Sequence, residues 1–484
     1  MHYKDKLSRE QLMVMSYDTM IAPDNAVRLI DLMCKKFINE HPLDIKWKGM
    51  KNEGRKSYPP ISMLALLVYG YFNGIASSRK LERETYRNIE VLWLMEGLQP
   101  DHWTICEFRR ESETTMKSFL NAFRRFLLEG SYAQAEKIVF DGTKVKAYAR
   151  REMLTVESIQ EKLTDIDKSI LEYLSKIEKA DTQDNTLELA KAEIEVLKEK
   201  IKILESKKDK LKYAENELKE SGEKYYAPND TDAKLMKGRE GKFPGYNAQV
   251  GVETKGHFIL LERVTNEATD LLQLQDNVEG VEKETGIIPT EVSADKGFAN
   301  TTQIVGIEKN GITQCYIPLI ETQREKEEKE GFIFQYDKEK DLYICPQGLH
   351  LLLHAKNIKQ KGRIYNIYKC HECNNCEKRS KCTNSKTGRI LKRNIIQDEI
   401  DKYKEKIEGT YGKKKISERK CVVEHPFGTI KSLMGKFNLL LRGKTKVQIE
   451  FDYYTTAYNL KRLFNLAPFQ QLFQEINEYK RAIV

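Results

Sequence analysis

At 484 residues, 40% hydrophobic and 32% charged, the chain is long enough for two to four domains and too apolar for global disorder. Its formal net charge of +9 is modest for that length, so the placing of the charge matters more than the sum. The apolar run at residues 61–72 is too short to cross a bilayer, and the opening MHYKDKLSRE lacks a signal-peptide core. The expectation is a cytoplasmic protein with no membrane partner, whose nine cysteines are metal ligands or free thiols rather than disulfides.

Residues 1–130 read as an all-α domain. Pro59 and Pro60 mark the start of a core helix over 61–72. Residues 76–90 (ASSRKLERETYRNIE) carry Arg79 and Arg83 on a basic face. In residues 100–111 (PDHWTICEFRRE) Thr104 is the predicted N-cap, with Arg109 and Arg110 on the following turn. These short Arg-bearing helices suit a DNA-binding unit. An ordinary bundle with surface arginines is the plain alternative.

Residues 137–149 (KIVFDGTKVKAYA) come next. Ile138, Val139 and Phe140 predict a buried strand that ends at Asp141, with Gly142 and Thr143 turning the chain. Residues 152–223 then change texture. Ile166, Ile170, Leu174 and Ile177, and later Ile194, Leu197, Ile201, Leu204 and Leu211, recur at helical spacing on either side of DTQDN at 181–185. That pattern predicts an inserted antiparallel helical hairpin with coiled-coil-like packing.

A β-rich section follows. Residues 245–253 and 257–264 flank Thr254-Lys255-Gly256, a hairpin signal. Residues 270–284 read as a helix, 291–294 as a short strand running into Asp295, 301–310 as a helix and 313–319 as a strand. With the insertion removed the order is β-β-β-α-β-α-β. A charged linker at 321–330 leads to Cys345, Cys370, Cys373, Cys376 and Cys382. Such dense spacing predicts a Zn²⁺ site of four thiolates within a cysteine-rich insertion at 330–400, one cysteine or His371 being left over. The spacing also admits an iron–sulfur cluster, and free thiols in a loop are the plain reading. Cys34, Cys106, Cys315 and Cys421 stand alone, and burial accounts for them.

Residues 355–446 hold 25 Lys and Arg against nine Asp and Glu, a basic field of the kind that binds polyanions. Two closing helices are predicted, at 422–434 and 446–464, with Arg442 and Lys444 in the loop between them. In the first, Val423, Phe427, Ile430 and Met434 make an apolar face while Glu424 and Lys431 share another, with Pro426 required in the first turn or at a kink.

Asp295 repeats the setting of Asp141, a short strand followed by an acid and a small residue, and Glu424 is the candidate third acid. Three clustered carboxylates need a cation, and hard oxygen ligands suit Mg²⁺ or Mn²⁺. Two such ions can support in-line phosphoryl transfer. His425 is left out of this set, because a helical neighbour one residue on faces elsewhere. There is no GxxxxGK[ST] loop, so no nucleotide cofactor is expected.

FDGTKVKA, GYNAQVGVE, VTNEATD, SADKGFAN and VVEHPFGTIKSLMG with YNLKRL together resemble the ribonuclease H-like catalytic domain of bacterial insertion-sequence transposases of the Asp-Asp-Glu class. SSRKLERE and PDHWTICEFRRE resemble that family's N-terminal helical domain. The resemblance implies a mixed α/β catalytic domain over 131–320 and 415–484. It also implies catalytic and metal-binding roles for Asp141, Asp295 and Glu424, with Arg419 or Lys420 and Lys431 as the accompanying basic residues. The family's upstream Tyr has no counterpart, since Lys415, Ile416 and Ser417 occupy that stretch. The implied activity is metal-dependent cleavage and strand transfer of double-stranded DNA at the ends of a mobile element, by a homo-oligomer. A catalytically silent DNA-binding protein, and a nuclease of the same fold that cuts without joining, are the alternatives.

Overall fold

The computed structural model describes residues 14–38, 56–149, 152–182, 188–238, 241–321, 325, 331–360, 362–373, 376–434 and 439–479. Besides two short helices, Tyr17–Met20 and Ile89–Leu94, the N-terminal elements are α1 (Ala26–Ile38), α2 (Pro60–Phe72), α3 (Ser78–Arg87), α4 (His102–Glu111) and α5 (Glu113–Glu129). The fixed φ of Pro60 suits the first turn of α2, and Met63 to Tyr71 are buried along its length. Thr104 does not cap α4 as predicted. The cap is Asp101, whose side chain accepts the Thr104 amide at 2.7 Å and sits well against the positive end of the helix.

β1 (Lys137–Lys146) precedes the inserted hairpin of α6 (Val156–Thr182) and α7 (Glu188–Ser221). The two helices run antiparallel: Asp167 pairs with Lys208, and Gln160 donates to Glu215 at 3.2 Å. A two-way backbone bridge between Leu154 and Tyr226, at 2.8 and 2.9 Å, pins the neck. Leu154, Ile159, Ala214 and Leu218 pack beside it. Further out Ile170, Ile177, Ile201 and Leu204 are half-buried and Leu174 is exposed, because two helices alone cover only one stripe of each other. Of the predicted break at 181–185, residues 183–185 lie outside the described residues.

β2 (Lys234–Gly238), β3 (Gly241–Glu253), β4 (Ile259–Thr265), α8 (Leu274–Thr285), β5 (Glu291–Ser293), α9 (Thr301–Glu308) and β6 (Gln314–Tyr316) complete a six-stranded mixed sheet with β1. Its order is β2-β3-β1-β5-β6, with β4 also on β3. The β1–β3 pairing is antiparallel, while β5 runs parallel to both β1 and β6. This is the mixed α/β class expected. β2 is an addition: its sequence, KLMKG, buries only Met236 and gives no alternating signal.

A second, antiparallel sheet is built from β7 (Gln335–Asp337), β8 (Leu342–Ile344), β9 (His350–Gln360), β10 (Arg363–Lys369) and β11 (Ile390–Asn394), in the order β11-β10-β9-β8-β7. It has its own small core around Phe334, Tyr343, Leu351 and Tyr368. The chain closes with α10 (Gln397–Glu408), α11 (Thr410–Met434), α12 (Lys444–Leu466) and α13 (Phe469–Glu478). α11 begins well before the predicted residue 422, so Pro426 lies inside it rather than in its first turn.

α12 is buried nearly all round from Val447 to Leu460 and joins the two halves of the main core. Tyr71 of α2 stacks on Tyr453 with ring centroids 5.2 Å apart. On the other side, Asn459 accepts the Ile259 amide at 2.9 Å and donates to its carbonyl at 2.8 Å, while Gln448 accepts the Val264 amide at 2.6 Å. These side chains satisfy the outer backbone edge of β4, which is otherwise an open pairing template. The N-terminal helices and the mixed sheet therefore share one continuous core.

Candidate active site

Asp141 lies in the middle of β1, not at its end. The strand continues to Lys146, with Asp141 opposite Val250 and Thr143 opposite Ala248 on β3, so Gly142 and Thr143 make no turn. The parallel ladder to β5 ends at the Val139–Ser293 pair. Asp141 and Asp295 are each two residues beyond that pair. Adjacent strands lie about 4.8 Å apart, so the register carries both acids to the same level. Asp295 is fixed by accepting the Gly297 amide at 2.7 Å, which caps a short 3₁₀ turn, Lys296–Phe298.

The Asp141 carboxyl is pushed up to about 6, chiefly by burial. The Arg419 guanidinium and the Gly142 amide pull it down, while the charges of Asp295 and Asp270 push it further up. A third carboxylate, Asp270, therefore stands in the cluster. Its Oδ1 accepts from Asn247 at 2.7 Å, Gln249 at 2.7 Å and Lys144 at 3.2 Å. Sequence reading passed over Asp270 inside VTNEATD. The available signal was another acid just beyond a strand, in the pattern that singled out Asp141 and Asp295.

Glu424 and Arg419 share α11, which packs on the sheet through Val422, Val423, Phe427 and Ile430. Arg419 is half-buried and faces Asp141. Glu424 is exposed, five residues or about 7.5 Å further along the axis. Among the described residues, no group of three or more His, Cys, Asp or Glu side chains stands close enough to hold a metal ion. The donor set still fits a hard cation. Two oxygen ligands are aligned by strand register, and one of them is held above its ordinary range by burial that a divalent charge would offset.

Of the predicted DNA contacts, Arg79, Arg83 and Arg110 are exposed, the last paired with Glu107 at 2.9 Å. Lys431, Arg442 and Lys444 are exposed near the site's helices, with Arg442 stacked 5.2 Å over Tyr148. Arg109 is the correction. It is 2% exposed, donates to the Tyr71 hydroxyl at 3.2 Å and to the Ala76 carbonyl, and lies in the field of buried Glu450. It cannot reach DNA. Ile105, Arg109 and Ser112 fall on one helical stripe, and that spacing was the legible sign.

Cys345, Cys373, Cys376 and Cys382 line one cavity with Phe334 and Arg389. Cys370 is buried against Cys373, and its thiol is pushed up to about 11, first by burial and then by that neighbour. Two backbone amides point at sulfur, Gln347 N at Cys345 and Arg389 N at Cys373, each at 3.4 Å. Gly388 has φ +90°, and a Cβ there would meet the Cys370 carbonyl at 2.6 Å. Amide donors beside sulfur suit a thiolate, while burial pushes the Cys382 thiol up and the described cysteines form no metal-holding group of three.

Residues 344–464 match the family model described as transposase DDE domain, and residues 15–111 match a transposase domain model, DUF772. Over those two segments the chain is similar to transposase domains. The first match takes in Glu424 and the cysteine cluster, whereas Asp141 and Asp295 precede it and rest on the register above. No curated protein matches the chain. Among solved structures it is similar to a piggyBac transposase synaptic complex with hairpin DNA, at 10% identity and a TM-score of 0.33, over 93% of this chain and 78% of that one. A likeness that loose carries no argument. No helix among the described residues is long and apolar enough to cross a membrane.

Proposed function

We propose that the protein cuts DNA strands at the ends of a mobile element and joins the freed 3′ ends to target DNA, with Asp141, Asp295 and Glu424 as the catalytic acids. The observation that carries this is the shared level of Asp141 and Asp295 on neighbouring parallel strands, with the Arg419 charge beside them. These carboxylates would hold Mg²⁺ or Mn²⁺, which supplies an activated oxygen nucleophile and neutralises charge on the leaving oxygen. Asp295 is kept in place by its cap on Gly297. Arg419 offsets negative charge at the acid pair and offers a phosphate contact. Glu424 rides on the helix that Arg419 anchors.

Double-stranded DNA is the partner. The basic field at 355–446, with exposed Arg79, Arg83, Arg110, Lys431, Arg442 and Lys444, supports it through phosphate contacts. A homo-oligomer assembled on that DNA, acting in the cytoplasm and without a nucleotide cofactor, completes the reading. The cysteine-lined cavity is assigned to one structural Zn²⁺, with Cys345, Cys373, Cys376 and Cys382 as ligands and Cys370 packed behind them.

The test is incubation of the full chain with Mg²⁺ and duplexes carrying the DNA that flanks its own gene. Nicking by the native protein, abolished in Asp295→Ala, is the expected result. Joined products separate a transposase from a nuclease that only cuts. Absence of nicking, or nicking undiminished by Asp295→Ala, removes the enzymatic reading and leaves a DNA-binding protein.

A further inference from the structure

Asp270 stands among the catalytic acids, although the chemistry proposed above gives it no part. It lies five residues past the end of β4, and the regular ladder of β1 and β3 assembles its partners. Lys144 is opposite Asn247, and Gly142 is opposite Gln249. Directly opposed residues project to the same side of a sheet, and side chains alternate along a strand. Lys144, Asn247, Gln249 and the bare Gly142 therefore share one face, while Asp141 projects from the other.

Three donors from that face converge on Asp270 Oδ1 alone, at 2.7, 2.7 and 3.2 Å. Asn247 and Gln249 are fully buried, where an unpaired amide would be costly. Asn277 donates to Gln249 Oε1 at 3.1 Å. That bond fixes the amide so that its NH₂ group points at Asp270. Two neutral amides and one ammonium thus donate to a single oxygen.

The glycines in the two catalytic motifs answer to the same residue. A Cβ on Gly142 would lie 2.6 Å from Asp270 Oδ1 and 2.4 Å from Gln249 Nε2. A Cβ on Gly297 would lie 2.8 Å from Asp295 Oδ1 and 3.6 Å from Asp270 Oδ2. Neither glycine has a left-handed φ, so each supplies space and not backbone freedom. Gly142 adjoins one catalytic acid and Gly297 sits two residues past the other. Together they admit a further carboxylate between the two.

We infer that Asp270 is a positioning residue for the reaction: anchored by Lys144, Asn247 and Gln249 on the sheet face opposite Asp141, it packs against the bare Gly142 and Gly297 and so sets the Asp295 turn at its distance from Asp141. The inference rests on the reading of Asp141 and Asp295 as metal-binding acids. Asp270→Asn keeps the shape and Oδ1 as an acceptor while removing the charge, so it separates positioning from mere packing.

The experiment compares full-length native protein, Asp270→Asn, Lys144→Met, the double variant and an Asp295→Asn control. The readouts are nicking of an element-end duplex, Mn²⁺ binding to the protein alone by calorimetry, and thermal unfolding. Loss of a residue that orients metal ligands costs about tenfold or more in activity or metal affinity. Asp270→Asn is expected to lose that much in both at an unchanged melting temperature, with the double variant no slower than Asp270→Asn alone. Nicking and Mn²⁺ affinity both at native levels overturn the proposal, and so does a loss that follows a lowered melting temperature. Additive losses in the double variant overturn the link to Lys144. If Asp295→Asn binds Mn²⁺ and nicks like the native protein, the parent reading has failed, and that control shows it apart from Asp270.

Discussion

Arg109 shows how one residue can change meaning between a helical wheel and a packed molecule. Its guanidinium is buried beside Tyr71 and Glu450. Glu450 also accepts the Leu440 and Leu441 amides at 2.8 and 2.9 Å, and Tyr71 donates to it at 3.4 Å. Breaking a buried ion pair from one side leaves an uncompensated charge, which costs about 3–5 kcal/mol. Arg109→Ala is therefore expected to lower the unfolding free energy from urea titration by about that amount while leaving DNA affinity per folded molecule unchanged. A gel-shift titration beside the unfolding curve checks both halves. Asp141 is a contrasting case. Its run of apolar neighbours marked a buried strand and an acid worth watching, and both were legible locally. That the strand runs on past it was not, because Gly142 looks like a turn residue until Asp270, 128 positions away in sequence, is seen to need the space.

At the scale of elements, legibility followed local periodicity. The hairpin of α6 and α7 was readable because Ile166 to Leu211 repeat at helical spacing. The sheet of β7 to β11 was not, because in β9 (HLLLHAKNIKQ) burial alternates over 350–356 while Leu352 takes an exposed position, so the residue types do not show the alternation. The cysteines were legible as a group, but which of them line one cavity depends on the fold of that sheet. Its core is small, and Cys370 and Cys373 are themselves part of it, so metal binding and folding should be coupled there. Stripping the purified protein with a strong chelator is expected to release one equivalent of zinc and open residues 331–396 to protease, with α2 and α12 remaining resistant. Mass spectrometry of the fragments and elemental analysis check this together. Cys373→Ser should reproduce the effect without chelator. A protein that holds no zinc, or whose proteolysis is unchanged by the chelator, removes the assignment.

In the whole molecule, the parts meet on one buried charge network. Arg124 of α5 pairs with Glu262 of β4 and, at 2.6 Å, with Glu284 of α8. Asp452 of α12 lies at the same site and accepts Gln448 Nε2 at 2.6 Å. The N-terminal helices, the sheet and the central helix α12 are thus joined through one cation and three acids. Burial pushes the carboxyls of both Glu262 and Asp452 well above the ordinary range, with Arg124 pulling each down. We assign the ion pair to Arg124 and Glu262, which are in direct contact, and the retained proton to Asp452. The sign follows from proton counting. In the unfolded chain these acids ionise near pH 4, whereas the native state keeps a proton on the pair towards neutral pH. Between those limits the native state binds more protons, so stability falls as pH rises, by about 1.4 kcal/mol per unit for each proton withheld. Asp452→Asn keeps an acceptor for Gln448 and has no charge to acquire. In urea unfolding its stability relative to the native protein should rise from pH 5 to pH 8. A variant that loses stability equally at both values would show that Asp452 is ionised in the native network, and that Arg124 balances it there.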